Sequence, residues 1–152
     1  MLLGGEQEKG MRGGTESVYQ IAGMAKALEV AYAELDSERA YISELKEYCV
    51  SQLAQRFPNS KIIGSKNNFY NIINVVLPLS ADKTGMLLFH LDMKGIAVSR
   101  GSACQSGSSN PSHVLAEILS PEELVQPSLR ISLSHYNTKE EIDYLIEVLA
   151  TV

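Results

Sequence analysis

The chain contains 152 residues, and its composition of 45% hydrophobic and 20% charged residues is that of one globular domain with a core. A net charge of -5 without a Lys/Arg run argues against nucleic-acid binding. No apolar stretch is long enough to span a bilayer, and the N-terminus lacks the features of a secretory signal. Two cysteines, Cys49 and Cys104, cannot form a disulfide framework, so we expect a reduced, cytoplasmic protein.

The first periodic element follows a glycine-rich, charged segment at residues 4–15. Composition alone leaves open whether this segment is a flexible terminus or a connecting loop. After Thr15, apolar residues recur at three- and four-residue spacing as far as Leu53, which predicts helix. Asp36 and Ser37 offer a break, so the pattern fits either one long helix or two helices that end near Phe57.

The middle of the chain alternates between strand and helix patterns. Residues 61–64 and the β-branched run 71–77 predict two strands joined by a polar turn. Ser80 then predicts the cap of a helix over about residues 81–93, with Gly95 as its C-terminal stop. Residues 96–99 predict another short strand.

The last third begins with a small, polar, glycine-rich stretch at residues 100–109, which predicts a loop. Asn110 before Pro111 predicts the start of a helix, and residues 128–133 alternate like a half-buried strand. Thr138 and Glu141 form the capping box of a last helix. The order of elements predicts an α+β fold, a small, mostly antiparallel sheet covered by helices.

The two cysteines lie in opposite surroundings. Cys49 occupies an apolar helix position, which is typical of a buried core residue. Cys104 lies among Gly, Ser and Ala in the predicted loop, where a free thiol risks oxidation. The pattern therefore favours a reactive thiol at Cys104 over a structural one.

Local pattern leaves the roles of three other residues open. Arg130 on the last strand fits a solvated position best, although its planar fork also suits a carboxylate. Thr15 fits a helix cap or a phosphate site beside free N–H groups. His113 could act as acid, base or cap, and no His/Cys/Asp/Glu spacing predicts a metal site.

Three motifs resemble those of one enzyme family. The segment GIAVSRGSACQSG at residues 95–107, followed by PSHVL at 111–115, resembles the active-site cysteine loop of the NifS/IscS-like cysteine desulfurases, which belong to the class V aminotransferase family. The opening GGEQE with RGGT at 12–15 resembles the glycine-rich segment of the same family, and LRIS at 129–132 with NTKEEID at 137–143 resembles its C-terminal signature. Their shared order across nearly the whole chain makes the resemblance specific.

The resemblance implies a role for each candidate. Cys104 would accept sulfur from L-cysteine as a persulfide with release of alanine, and Arg130 would hold the substrate carboxylate. Thr15 would contact the phosphate of the cofactor, pyridoxal phosphate, in the site of the neighbouring subunit. No catalytic role is implied for His113. The sequence departs from the family pattern at Glu6, where the family usually has Gly, and has larger residues than usual at Arg100 and Gln105.

The resemblance also implies a larger protein. In the family, the lysine that holds the cofactor as a Schiff base comes directly after a histidine, and no histidine here is directly followed by a lysine. Residues 1–15 would then join from a missing N-terminal large domain, and residues 16–152 would form the C-terminal small domain of a fold-type I pyridoxal-phosphate enzyme. The complete enzyme would be a homodimer that passes sulfur to an acceptor protein, as in iron–sulfur cluster assembly, and the isolated chain would be inactive. The alternatives are a related selenocysteine lyase and a non-catalytic dimerisation or interaction domain.

Overall fold

The computed structural model describes residues 4–65, 68–100 and 113–152. The predicted cysteine loop with Cys104 lies almost entirely outside these residues, as does the predicted helix start at Asn110 and Pro111. The chain forms two compact units, Met1–Ser37 and Glu38–Val152. The named elements are α1 (Val18–Arg56), β1 (Lys61–Ile63), β2 (Ile72–Val76), α2 (Leu87–Met93), α3 (His113–Ala116), α4 (Pro121–Leu124), β3 (Ser128–Ser132) and α5 (Lys139–Leu149).

Helix α1 is continuous, which decides between the two alternatives left open by its sequence. Ser37 remains helical, and its hydroxyl donates a hydrogen bond to the carbonyl of Glu34. In the first unit the apolar side chains of α1, such as Val18, Met24 and Leu28, are exposed. Their helical spacing therefore predicted the helix correctly, but none of the residues from 4 to 37 is buried, so the spacing corresponds to no core in this range.

The second unit contains the hydrophobic core. Helix α1 contributes its side chains at three- and four-residue spacing, and α5 does the same from the end of the chain. Buried strand residues complete the cluster. The helix residues of this core include Ile42, Leu45, Cys49, Leu53, Ile142, Leu145, Ile146 and Leu149.

The three strands form an antiparallel sheet in the order β1-β2-β3. Successive side chains of a strand point to opposite faces, and Ile73, Val75, Leu129 and Ile131 are buried in the core. Asn74 and Arg130 lie on the opposite face, where both are half-buried. The predicted α+β class is confirmed by this small antiparallel sheet with its helices.

The predicted helix over about 81–93 is wrong in its first turn. Ala81–Thr84 is a 3₁₀ turn that is separate from α2, and the side chain of Ser80 makes no capping hydrogen bond to it. The predicted stop at Gly95 is confirmed, because this residue has φ +76° and donates to the carbonyl of Asp92. Ile96 donates in turn to the carbonyl of Leu91, which completes a Schellman motif.

Two shorter features also differ from the sequence prediction. Of the predicted strand at 96–99, Ser99 alone pairs with another strand, through an isolated bridge to Arg130. Helix α4, which the sequence analysis did not separate, has its own capping box formed by Ser120 and Glu123. The capping box of Thr138 and Glu141 at the start of α5 is confirmed.

Polar contacts join α1 to the segment that contains α5. They occur along one side of α1, at positions three or four residues apart between residues 38 and 48, so this part of the helix is held by polar contacts as well as through the core. The hydroxyl of Tyr48 donates to the carboxylate of Asp143 at 2.7 Å, and this hydrogen bond raises the pKa of Tyr48. The other pairs are Glu38 with His135, Tyr41 with Asn137 and Glu44 with Lys139.

Two leucines of the same helix provide a test of where the core lies. Leu45 is fully buried and Leu28 is 58% exposed. We expect Leu45→Ala to lower the free energy of unfolding by about 2–5 kcal/mol, because it removes buried methyl groups and leaves a cavity. Leu28→Ala serves as the matched control, and its effect should stay within about 0.5 kcal/mol. Urea unfolding measures both, and equal losses for the two variants would contradict the assignment of the core.

Candidate functional site

The structure describes two of the three sequence-predicted site residues, Arg130 and Thr15. Arg130 lies on β3 in the second unit, and Thr15 lies in the first unit, three residues before α1 begins. Cys104 lies outside the described residues. Arg130 is therefore the residue around which the described structure builds a site.

The backbone of Arg130 is fixed from one side by Ser99. The N–H of Arg130 donates to the carbonyl of Ser99 at 2.6 Å, and the N–H of Ser99 donates back to the carbonyl of Arg130 at 3.2 Å. Both backbone polar groups of Arg130 thus point away from β2. Its pairing with Asn74 on that side is consequently a non-hydrogen-bonded pair, the type in which facing side chains approach most closely.

The neighbouring contacts confirm this alternation. Leu133 donates to the carbonyl of Asn71 and Leu77 donates to the carbonyl of Pro127, which places backbone hydrogen bonds at the odd-numbered positions of β2 and β3. The side chains on these positions include the buried Ile73. The even-numbered positions face the other way.

The side chain of Arg130 is available for a ligand. It is half-buried, and no residue in the described ranges forms a hydrogen bond or ion pair with its guanidinium. An unpaired guanidinium offers five N–H donors in a planar fork, which matches a carboxylate. Ser99, its backbone partner, comes shortly before the predicted cysteine loop along the chain.

Thr15 lies in surroundings that fit an anionic group. Its side chain is exposed and has no hydrogen-bond partner among the residues with described positions. The N–H groups of the first turn of a helix favour a phosphate, and the preceding Gly14 adopts φ +103°. Arg12 pairs with Glu16, so the nearby carboxylate is partly neutralised. The phosphate of a cofactor would thus find suitable donors here.

Cys49 is unsuited to catalysis. It is fully buried in the core, and this burial raises the pKa of its thiol to about 12. The thiolate, which is the nucleophile, is therefore strongly disfavoured at Cys49. The prediction of a core role for Cys49 is confirmed by its position.

No histidine in the described ranges forms a hydrogen bond or ion pair with Arg130. His113 is exposed at the first position of α3, His90 contacts the hydroxyl of Thr151 and His135 pairs with Glu38. Over the described ranges, no group of three His, Cys, Asp or Glu side chains could hold a metal ion. Within the same ranges, no helix combines the length and apolar character needed to cross a membrane.

Comparison with known proteins identifies relatives along the whole chain. Residues 4–145 match the family model described as Aminotransferase class-V. Over its full length the chain is 39% identical to "Cysteine desulfurase IscS" of Dictyoglomus turgidum. The chain spans 38% of the length of that relative.

Solved structures of similar proteins show the same fold. A NifS-like protein from Rickettsia africae superposes with a TM-score of 0.75 at 33% identity, over 99% of this chain and 39% of that one. A second structure, named as a NifS-like protein, gives a TM-score of 0.77 at 31% identity, over 99% of this chain and 38% of that one. These likenesses confirm the α+β fold that the sequence predicted.

The burial of Cys49 gives a prediction for thiol labelling. With a pKa of about 12, the thiolate fraction four pH units lower is roughly 10⁻⁴, and the surrounding core excludes reagent as well. We expect iodoacetamide to label Cys104 in the folded chain and to spare Cys49 until denaturant is added. Peptide mass analysis identifies the labelled residue, and a folded Cys104→Ser variant should take up almost no label. Labelling of Cys49 at the rate of Cys104 would contradict this assignment.

Proposed function

The chain belongs to the class V aminotransferase family, and from this we propose that it is the C-terminal part of a pyridoxal-phosphate-dependent cysteine desulfurase. The match to a relative named as a cysteine desulfurase extends along the whole chain, while the chain spans 38% of that relative. In this proposal residues 1–15 join from a larger N-terminal domain and residues 16–152 form the small domain. The longer protein would contain the lysine that holds the cofactor.

The observation that supports this function best is the unpaired guanidinium of Arg130. Arg130 is half-buried on β3, and its guanidinium has no protein partner among the described residues. Its N–H donors are therefore free for a ligand. We assign the carboxylate of L-cysteine to this position. Its bidentate contact would fix the orientation of the substrate and leave the side-chain sulfur free to face the acceptor thiol.

Cys104 is the proposed sulfur acceptor. Its thiolate attacks the sulfur of the substrate, so that an S–S bond forms as the bond between that sulfur and the substrate Cβ breaks. The electron pair of the broken bond stays with the three-carbon fragment, which takes up a proton and leaves as alanine. Cys104 then has a persulfide that a second thiol, on an acceptor protein, can remove.

The cofactor would be held in part by Thr15. Pyridoxal phosphate, when bound, supplies the electron sink that makes the substrate sulfur electrophilic. Thr15 donates its hydroxyl to the phosphate, with the N-terminus of α1 favouring the negative charge. By the family resemblance Thr15 serves the site of a second subunit, so we propose that the complete enzyme is a homodimer, located in the cytoplasm.

Product analysis tests the proposed function directly. The longer enzyme, expressed with its N-terminal domain and loaded with cofactor, should release alanine and sulfide from L-cysteine in the presence of a reducing thiol. Its Cys104→Ser variant should bind cysteine but release no sulfide. The isolated chain should be inactive with added cofactor, because the cofactor lysine lies outside it. Cys104-independent turnover of cysteine, or turnover of selenocysteine alone, would contradict the proposal.

Arg130 gives a quantitative prediction for substrate binding. We expect Arg130→Ala in the longer enzyme to raise KM for cysteine roughly 30- to 150-fold, because the loss of a charge-assisted bidentate contact costs about 2–3 kcal/mol. The KM of Arg130→Lys should lie between those of the unmodified enzyme and Arg130→Ala, since lysine keeps the positive charge but lacks the planar guanidinium. Arg56→Ala, at the exposed end of α1, is the control and should leave KM unchanged. Unchanged kinetics in Arg130→Ala would show that Arg130 is only a surface residue of the strand.

A further inference from the structure

Two polar residues flank Arg130 on the outer face of the sheet. Residues that face each other across an antiparallel pair project their side chains to the same face, and Arg130 faces Asn74 on one side and Ser99 on the other. In such pairs the Cβ atoms lie about 4.5–5.5 Å apart. The three side chains therefore form a row across the sheet, with the guanidinium in the middle.

All three side chains of this row have unused hydrogen-bonding groups. Asn74, Ser99 and Arg130 are half-buried, and within the described parts of the chain none has a side-chain hydrogen-bond partner. None of their polar atoms is buried without a partner, so these atoms remain open to solvent and to a ligand. A set of three such groups in one row, with donors on each, is arranged for a ligand that accepts several hydrogen bonds.

We propose that Asn74 and Ser99 bind the same carboxylate as Arg130 and complete its site. The proposal deepens the role proposed for Arg130 and rests on it. A carboxylate has about four lone-pair positions, and one guanidinium fork fills two of them. The amide N–H₂ of Asn74 and the hydroxyl of Ser99 supply neutral donors for the positions that remain.

The charge of this face matches a single carboxylate. Lys61 lies on the same face of the sheet but donates to both carboxylate oxygens of Glu123, at 2.7 and 2.9 Å, so its charge is already paired. Arg130 then contributes one net positive charge between two neutral donors. A planar monoanion satisfies this set, whereas a phosphate dianion would have one charge without a partner.

Solution NMR of the 152-residue chain tests the proposal with L-alanine, the proposed product, as the probe. We expect the Nε–H signal of Arg130 and the side-chain amide signals of Asn74 to shift together and to give one common Kd. Asn74→Ala and Ser99→Ala should each weaken binding by at least about tenfold, since each removes one hydrogen bond to a charged group. Asn74→Asp should abolish it, because the new carboxylate would pair with Arg130 in place of the ligand.

The controls separate this inference from the proposed function. Ser132→Ala changes the same face of β3 but two residues from Arg130, and it should leave the Kd unchanged. Alaninol, which lacks the carboxylate, should shift none of the signals. Saturation of the Arg130 signal with an unchanged Kd in Asn74→Ala and Ser99→Ala, or no shift at Arg130 at all, would overturn the inference. If the 152-residue chain binds L-alanine as expected but the longer enzyme has no desulfurase activity, the proposed function is rejected and this inference is not.

Discussion

The pairing of β2 with β3 is the constraint on which both the core and the candidate site depend. Its register places backbone hydrogen bonds at the odd-numbered positions and turns Ile73, Val75, Leu129 and Ile131 into the core. The same alternation forces Arg130 onto the opposite face. Since a slip of β3 by one residue would exchange its two faces, it would bury the guanidinium of Arg130 and expose Leu129 and Ile131. The hydrophobic core thus fixes the direction of the proposed substrate-binding residue.

Burial also separates the two cysteines by function. Cys49 is buried in the hydrophobic core, and the loss of solvent around it raises the pKa of its thiol to about 12. A thiol in that position stabilises the core and resists both oxidation and alkylation. We therefore assign the proposed chemistry to Cys104. It follows Ser99 closely in the sequence, and Ser99 is the residue that forms the isolated bridge with Arg130.

Local signals in the sequence predicted the elements that local interactions determine. The capping box of Thr138 and the stop at Gly95 depend on neighbouring residues alone, and both predictions are confirmed. Ser80 has the same capping chemistry, but the chain forms a separate 3₁₀ turn there, which its residue type does not reveal.

The sequence analysis also overlooked Asn74. Strand alternation already placed it on the outer face, but its position opposite Arg130 depends on a long-range register that alternation alone does not specify.

The central claim is that L-cysteine bound through Arg130 transfers its sulfur to the thiol of Cys104. The most direct measurement is mass analysis of the peptide that contains Cys104, after the longer enzyme has reacted with a single equivalent of L-cysteine and free thiols have been blocked. We expect that peptide to gain the mass of one sulfur atom, and the peptide that contains Cys49 to remain unchanged. Sulfur found on Cys49, or alanine released without any sulfur on Cys104, would contradict the account.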